Sequence, residues 1–222
     1  MIPLRDTQPS YTTPVLTVAI IVLNVLAFLY EFSMDSYELN FFIAHYGFIP
    51  ARFEWTDLLT SMFLHGGWLH LIGNMWFLWI FGDNIEDILG HSQYLLFYVL
   101  CGVAATMVHM YFNLDSRVPT VGASGAIAGV MGAYVVKFPH SRITTLVPVF
   151  VFLTTMEIPA YLMLLYWFVI QFFSGIGSVG HSHLSQGGVA WFAHVGGFLA
   201  GVVLILVMRT RERYWRRPDS RW

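Results

Sequence analysis

The chain has 222 residues, of which 57% are hydrophobic and only 11% are charged, and its formal net charge is −2. A soluble domain usually has about 25% charged residues and could not cover its surface with so few. The 11 lysines and arginines are too few for a phosphate-binding stripe, which excludes a nucleic-acid binder. The single cysteine, Cys101, excludes an internal disulfide or a cysteine zinc site. This composition indicates a polytopic membrane protein.

Six apolar runs fit a hydrocarbon core of about 30 Å, which needs roughly 20 apolar helical residues. The fifth run is expected to begin near Met156, after a short apolar lead-in over residues 146–153. We predict an all-α membrane domain over residues 1–222, with spans at 15–32, 68–88, 94–112, 121–136, 156–173 and 189–208. The first run is not expected to be a cleaved signal peptide, since no polar stretch with a small-residue cleavage site follows it.

The distribution of basic residues predicts the orientation of these spans. If both termini are cytoplasmic, nine of the eleven lysines and arginines lie inside, and only Arg52 and Arg117 lie outside. This follows the positive-inside rule. The long aromatic loop over residues 33–67 is then outside, where we expect it to lie partly in the membrane interface. The compact chain suggests a prokaryotic cytoplasmic membrane, with an organelle membrane as the open alternative.

Three polar segments interrupt the apolar chain, and each lies at the start of an even-numbered span. The first, residues 65–74, contains His65, His70 and Asn74, and the last two share one helix face because they are four residues apart. The second, residues 122–129, contains Ser124, and the third, residues 193–201, contains His194. Spans two, four and six run in the same direction, so we expect all three segments at similar depth near the outer face.

Each segment also has a purely structural interpretation. The glycines fit the small-residue contacts that let membrane helices approach closely; they are Gly122, Gly125, Gly129, Gly132, Gly197 and Gly201. A lone intramembrane serine usually bonds to its own helix, and a lone histidine near the interface is usually packed. Three such segments at one depth suit a functional site better than coincidence, because polar groups inside spans are costly.

These residue types suit nucleophilic catalysis. Serine is a weak nucleophile until an adjacent base takes its proton, and histidine is the usual base. Ser124 and His194 would fill these roles, while Asn74, His70 and the Ser124 backbone N–H could donate to a tetrahedral oxyanion. No acidic residue lies near the three segments, which favours a Ser–His dyad over a triad. We expect no cofactor and no metal.

In these motifs the chain resembles the rhomboid family of intramembrane serine proteases, over nearly its whole length. The resemblance implies Ser124 as nucleophile, His194 as general base, and an oxyanion hole of Asn74, His70 and the Ser124 N–H. It also implies supporting roles for the residues that shape or pack this site, namely Gly122, Gly125, His65, Gly197 and Gly201. The segment Glu157-Ile158-Pro159 would begin the family's mobile helix, and residues 33–67 would form its membrane-embedded hairpin.

Two positions depart from the family pattern. Many members have Trp-Arg in the first outer loop, whereas here Trp55 precedes Thr56 and Asp57. Some bacterial members place a tyrosine under the histidine ring, four residues after the serine, where this chain has Ala128. Another group must therefore hold His194.

The leading hypothesis is an endopeptidase whose partners are transmembrane protein substrates and the lipid bilayer, with no nucleic acid and with the oligomeric state left open. The rival hypothesis is a six-span transporter, which would carry polar groups through the inner half of its spans. Here they gather at the outer end, with Asn24 and Glu157 as the main exceptions. A site-2 metalloprotease needs His-Glu-x-x-His, which is absent, and an aspartyl protease needs paired intramembrane aspartates.

Overall fold

The computed structural model describes residues 2–149, 152–178 and 190–211. Their helices and strands follow in chain order: β1 (Ile2–Asp6), α1 (Val15–Phe32), α2 (Ser36–Tyr46), α3 (Asp57–Thr60), a 3-10 turn (Ser61–Phe63), α4 (Trp68–Leu89), α5 (His91–Phe112), α6 (Ser124–Lys137), β2 (Arg142–Val149), β3 (Phe152–Pro159), α7 (Ala160–Ser178) and α8 (Trp191–Val207). The protein is therefore mostly helical, with one small sheet.

Three of the described helices, α1, α5 and α7, are long and apolar enough to cross a membrane, and α6 and α8 are shorter apolar helices. The remaining long helix, α4, has 22 residues, or about 33 Å at 1.5 Å per residue. Its last two turns carry three acidic residues, Asp83, Glu86 and Asp87. Each of the six predicted runs overlaps one of these helices, namely α1, α4, α5, α6, α7 and α8, and residue 189 of the last run lies outside the described residues.

The helix α6 is the central element. It contacts α4, α5, α7 and α8, and every residue from Gly125 to Tyr134 is buried. Small side chains make this possible, since five of the first nine residues are Gly or Ala and leave room for close neighbours. Helix α6 is therefore surrounded by α4, α5, α7 and α8, which together fix the position of Ser124 in its first turn.

Buried carboxylates tie the two ends of α1 to the chain around α4. The Glu86 carboxylate accepts hydrogen bonds from the N–H groups of Leu16 and Thr17, both at 2.8 Å, and from the Thr17 hydroxyl at 2.7 Å. These bonds satisfy N–H groups that lack partners at a helix start. At the other end of α1, the Glu31 carboxylate accepts the N–H of His65 at 3.3 Å. Helix α1 is thus held antiparallel to α4.

A three-stranded antiparallel sheet with strand order β1-β2-β3 is the main departure from the all-α prediction. Strand β2 pairs with β3 from Arg142 opposite Pro159 to Val149 opposite Phe152. Strand β1 pairs along the other edge of β2, with Asp6 opposite Ile143. The N-terminal residues are therefore bonded to the segment between α6 and α7.

The predicted start of the fifth span near Met156 was wrong, because Met156 lies in β3 and α7 begins at Ala160. The apolar lead-in over residues 146–153 likewise belongs to the hairpin rather than to a helix. Two physical causes favour the strands. The segment is rich in β-branched residues, which pack well on a pleated surface, and the residue before Pro159 disfavours the helical conformation.

The loop between α1 and α4 is structured rather than extended. Asp35 caps α2 by accepting the N–H groups of Tyr37 and Glu38 at 2.8 and 2.9 Å. The Arg52 guanidinium lies 3.5 Å from the Asp57 carboxylate. It also donates to the carbonyl of Ala44 at 2.7 Å. The basic residue thus links the end of α2 to α3.

Candidate active site

Ser124 and His194 meet where α6 packs against α8. Ser124 is the first residue of α6 and His194 lies in the first turn of α8. The His194 Nε2 is 2.8 Å from the Ser124 Oγ, which is hydrogen-bond distance. His194 is 9% exposed, so its ring is largely shielded. This geometry allows the imidazole to take the hydroxyl proton when Nε2 is unprotonated.

Glycines bring the two helices into backbone contact. A Cβ added at Gly197 would overlap the carbonyl oxygen of Gly125, and one added at Gly201 would overlap that of Gly129. Any side chain at these positions would therefore push α8 away from α6. Backbone contact of this kind is the small-residue packing that membrane helices use, and here it sets the distance between Ser124 and His194.

His194 is held on its other side by Gln171 of α7, a residue that the sequence analysis missed. The Gln171 Oε1 lies 2.6 Å from the His194 Nδ1, and Gln171 is itself buried at 6% exposure. The Trp167 ring of α7 packs beside the imidazole, with centroids 5.6 Å apart. Gln171 and Trp167 are thus the groups that hold the ring, which the small side chain of Ala128 cannot do. The available signal was a polar side chain inside an apolar span.

The segment that leads into Ser124 passes close to α4. Gly122 has φ +127°, a conformation that favours glycine, and its N–H donates to the Ser61 carbonyl at 2.9 Å. A Cβ there would lie 2.7 Å from the His70 ring and 3.6 Å from the Asn74 Nδ2. Both side chains therefore lie beside the backbone that precedes Ser124.

Asn74 offers a donor that the described residues do not use. Its side chain is 8% exposed, and its buried Nδ2 has no hydrogen-bond partner among the described residues. Such orphan donors are rare in native structures. His70 differs, because its Nδ1 lies 3.3 Å from the N–H of Gly66. A third donor is the Ser124 N–H, one of the first-turn N–H groups that find no acceptor within a helix.

His65 lies next to this group rather than in it. Its backbone N–H is bonded to Glu31, and its ring lies 5.1 Å from the His70 ring, centroid to centroid. Burial, reinforced by the neighbouring His70, lowers the pKa of His65 from 6.5 to about 4. The ring is therefore neutral at pH 7 and packs against His70 without adding charge.

No cluster of three or more His, Cys, Asp or Glu side chains that could hold a metal ion occurs in the described ranges, 2–149, 152–178 and 190–211. Cys101 is a buried free thiol, and it packs against Gly129 in the contact between α5 and α6. The polar groups gathered near Ser124 are thus a hydroxyl, imidazoles, amides and backbone N–H groups.

The family follows from comparison with known sequences. A family model described as the Rhomboid domain matches residues 52–211, which include α4 to α8 and every residue of the candidate site. The chain therefore belongs to the rhomboid family. It is an integral membrane protein, as the family and the long apolar helices indicate together.

Among curated proteins, the chain is similar to the Rhomboid protease GluP of Bacillus subtilis, with 36% identity over 124 residues, which cover 54% of this chain and 24% of GluP. It is also similar to the mitochondrial Presenilin-associated rhomboid-like protein of Bos taurus, with 35% identity over 100 residues, 44% of this chain and 26% of the relative. The mitochondrial Rhomboid protein 1 of Saccharomyces cerevisiae is 33% identical over 91 residues, 39% of this chain and 26% of the relative.

The matched segments amount to about a quarter of the length of these relatives. The relatives include a bacterial protein as well as mitochondrial proteins from an animal and a yeast. Because mitochondrial proteins are so well represented, the expectation of a prokaryotic cytoplasmic membrane gains no support from them, and it stays a prediction.

Proposed function

We propose that this protein is an intramembrane serine endopeptidase, which hydrolyses peptide bonds in or beside the transmembrane helices of membrane-protein substrates. The observation that carries the proposal is the 2.8 Å contact between the His194 Nε2 and the Ser124 Oγ at the start of two packed helices. A serine with an imidazole at this distance is the minimal arrangement for nucleophilic acyl transfer. Membership of the rhomboid family supports the same reaction class.

In the proposed mechanism, Ser124 Oγ attacks the carbonyl carbon of the scissile bond while His194 Nε2 takes its proton. The oxyanion that forms is stabilised by Asn74 Nδ2, the Ser124 N–H and His70. His194 then gives the proton to the leaving amine. Water, activated by the same imidazole, hydrolyses the acyl-enzyme and regenerates the Ser124 hydroxyl. A helical substrate must unwind locally, because its carbonyls are otherwise bonded within the helix.

The proposed arrangement in the membrane has six spans, formed by α1, α4, α5, α6, α7 and α8, with both termini in the cytoplasm and residues 33–67 in the outer interface. Helix α6 has 14 residues, which measure about 21 Å against about 30 Å of hydrocarbon. Its first residue, Ser124, would therefore lie below the outer surface, in a depression open to water on that side.

Helix α7 is proposed to border the entrance for substrates. Much of its surface is apolar and exposed, and its outward-facing residues include Leu162, Tyr166, Val169 and Phe173. Its inner face carries Gln171, which reaches the His194 ring. A substrate helix that approached from the lipid beside α7 would therefore arrive next to the reactive serine.

The first test is labelling of the purified protein, in detergent and in lipid, with a fluorescent fluorophosphonate. We expect the wild type to be labelled and both Ser124→Ala and His194→Ala to be unlabelled, because the probe reacts only with an activated serine. The same three proteins are then incubated in liposomes with a reporter containing one transmembrane helix. Mass spectrometry should locate wild-type cleavage in or beside that helix.

Matched controls are Ser92→Ala and His140→Ala, which remove the same groups at exposed positions and should be labelled like the wild type. Labelling that persists in Ser124→Ala would place the reactive residue elsewhere. A folded wild type that is unlabelled in both detergent and lipid would contradict the proposed catalytic activity.

A further inference from the structure

The hydrogen bond between Gln171 and His194 joins a third helix to the reactive pair. Gln171 belongs to α7, whereas Ser124 begins α6 and His194 belongs to α8. The Gln171 amide lies 2.6 Å from the imidazole Nδ1, on the side of the ring opposite the nitrogen that faces Ser124. Both atoms of this bond are on buried residues, so water competes weakly for either of them.

The direction of this bond selects one form of the imidazole. The Gln171 atom assigned at 2.6 Å from Nδ1 is the amide oxygen, which can only accept a hydrogen bond. Nδ1 must therefore carry a proton in this arrangement. A neutral imidazole has one N–H, and its other nitrogen, Nε2, is then free to accept the Ser124 hydroxyl. The amide thus favours the tautomer that a general base requires, which a packed apolar side chain could not do.

The surroundings of Gln171 fit a dedicated contact. Trp167 lies one helical turn earlier on the same face of α7 and packs beside the imidazole at 5.6 Å. The Trp191 ring approaches edge-on with its centroid 6.4 Å away. The imidazole is therefore bounded by aromatic rings, while a single polar group of α7 meets its Nδ1.

We propose that Gln171 is a positioning residue of this enzyme. Its amide oxygen accepts a hydrogen bond from the Nδ1–H of His194 and so holds the imidazole in the tautomer and rotation that activate Ser124. The inference rests on the proposed function and deepens it. Because the acceptor belongs to α7, the His194 imidazole is held in this tautomer and rotation only when α7 is packed against α8. Displacement of α7 would break this bond while leaving the α6–α8 contact in place.

The test compares Gln171→Leu, which removes the acceptor at similar size, with Gln171→Glu, which restores one as a carboxylate. The measured quantities are the fluorophosphonate labelling rate, and kcat and KM for a reporter with a transmembrane helix, across pH. General-base catalysis contributes about 10²–10⁴-fold, so we expect Gln171→Leu to lower the labelling rate and kcat by about 10- to 100-fold with KM nearly unchanged. Gln171→Glu should recover most of this loss.

The pH profile separates this role from simple packing. Among the three proteins, the acidic limb of the rate profile should lie at the lowest pH in Gln171→Leu and at the highest pH in Gln171→Glu. The reason is that a carboxylate stabilises the imidazolium, whereas an apolar side chain does not. Among the described residues, the other titratable side chains that act on the ring are His70 of α4 and His109 of α5. Both are present in every variant, so a difference in the limb reports the change at position 171.

The matched control is Gln93→Leu, the same substitution at a half-buried position in the first turn of α5, which should behave as the wild type. A Gln171→Leu protein that labels at the wild-type rate would overturn the inference. So would an acidic limb that is the same in all three proteins, because packing alone would then explain any loss of rate. Failure of the proposed function would look different, since the wild type itself would then be unlabelled at Ser124.

Discussion

At the scale of single residues, Asn74 carries the clearest unmet interaction near Ser124. Its Nδ2 is buried without a partner among the described residues, and leaving such a donor unpaired costs about 1–3 kcal/mol. A ligand oxygen that appears during the reaction would relieve this cost. In the proposed mechanism, the amide would therefore stabilise the transition state more than the resting enzyme.

We expect Asn74→Leu to lower kcat by about 10²–10³-fold, which is the usual effect of removing one oxyanion donor, and to change KM little. The matched control is Asn84→Leu on the same helix, where the amide donates to the Gln8 carbonyl at 3.2 Å. That substitution should lower thermal stability without a comparable effect on kcat per folded molecule. Equal losses of kcat in both variants would contradict a specific role for Asn74.

The residues of the candidate site differ in how far the sequence could predict them. Ser124 and His194 stand in short motifs with glycines, and Asn74 follows His70 by four residues, so their candidate roles could be proposed from the sequence alone. Gln171 has no such motif. Its meeting with His194, 23 positions later, depends on the rotation of α7 about its axis, which tertiary packing determines.

At the scale of elements, the close contact between α6 and α8 depends on glycines, which have no side chain at the contact. Gly197 and Gly201 lie one turn apart on α8 and face the backbone of α6. Their spacing in the sequence predicted close approach, because small residues four apart lie on one helix face. The sequence also predicted the partner, because Gly125 and Gly129 form a matching small-residue face on the span that begins near Ser124.

We expect Gly201→Ala to destabilise the protein by about 1–3 kcal/mol, the usual cost of overpacking a tight contact, and to reduce fluorophosphonate labelling as α8 shifts. Thermal unfolding in detergent and the labelling rate measure the two effects. The matched control is Gly177→Ala on α7, where an added Cβ would meet no atom of the described residues within 4 Å. If both variants unfold at the wild-type temperature, the proposed tightness of the α6–α8 contact is wrong.

The hairpin of β2 and β3 shows where element prediction failed. A short apolar run fits a buried strand or a buried helix equally well by periodicity, and the predicted membrane context favoured the helix. The β-branched residues and Pro159 were the contrary signal. Strand β1 could not be predicted from its own local sequence, because its partner β2 lies more than 130 residues further along the chain.

At the scale of the whole molecule, β1 is docked onto the helices as well as onto β2. The Trp76 Nε1–H donates to the Pro3 carbonyl at 2.6 Å, and the Tyr134 hydroxyl donates to the Asp6 carboxylate. Burial raises the pKa of Asp6 from 3.8 to about 6, against the opposing effect of the Tyr134 hydrogen bond. The N-terminal strand therefore carries an acid that titrates near neutral pH.

Because the folded pKa of Asp6 exceeds its unfolded value, its contribution to stability is complete below about pH 3.8 and is lost as the pH rises through about 6. We therefore expect Asp6→Asn, which cannot ionise, to gain thermal stability relative to the wild type as the pH rises from about 3.8 to about 7, with little further change at higher pH. Unfolding midpoints of both proteins across this range test the prediction. Asp115→Asn, at an exposed position, should show no such trend. A difference between wild type and Asp6→Asn that is constant with pH would contradict it.

The sheet also imposes an order of events on biosynthesis. Strand β1 is made before its partner β2, which ends at Val149, about 140 residues later. At about 5–20 residues per second, strand β1 waits roughly 7–30 s with an unpaired edge. An edge in that state can pair with other chains. Closure of the sheet is thus a late, long-range step, because six of the eight described helices, α1 to α6, are synthesised before β2.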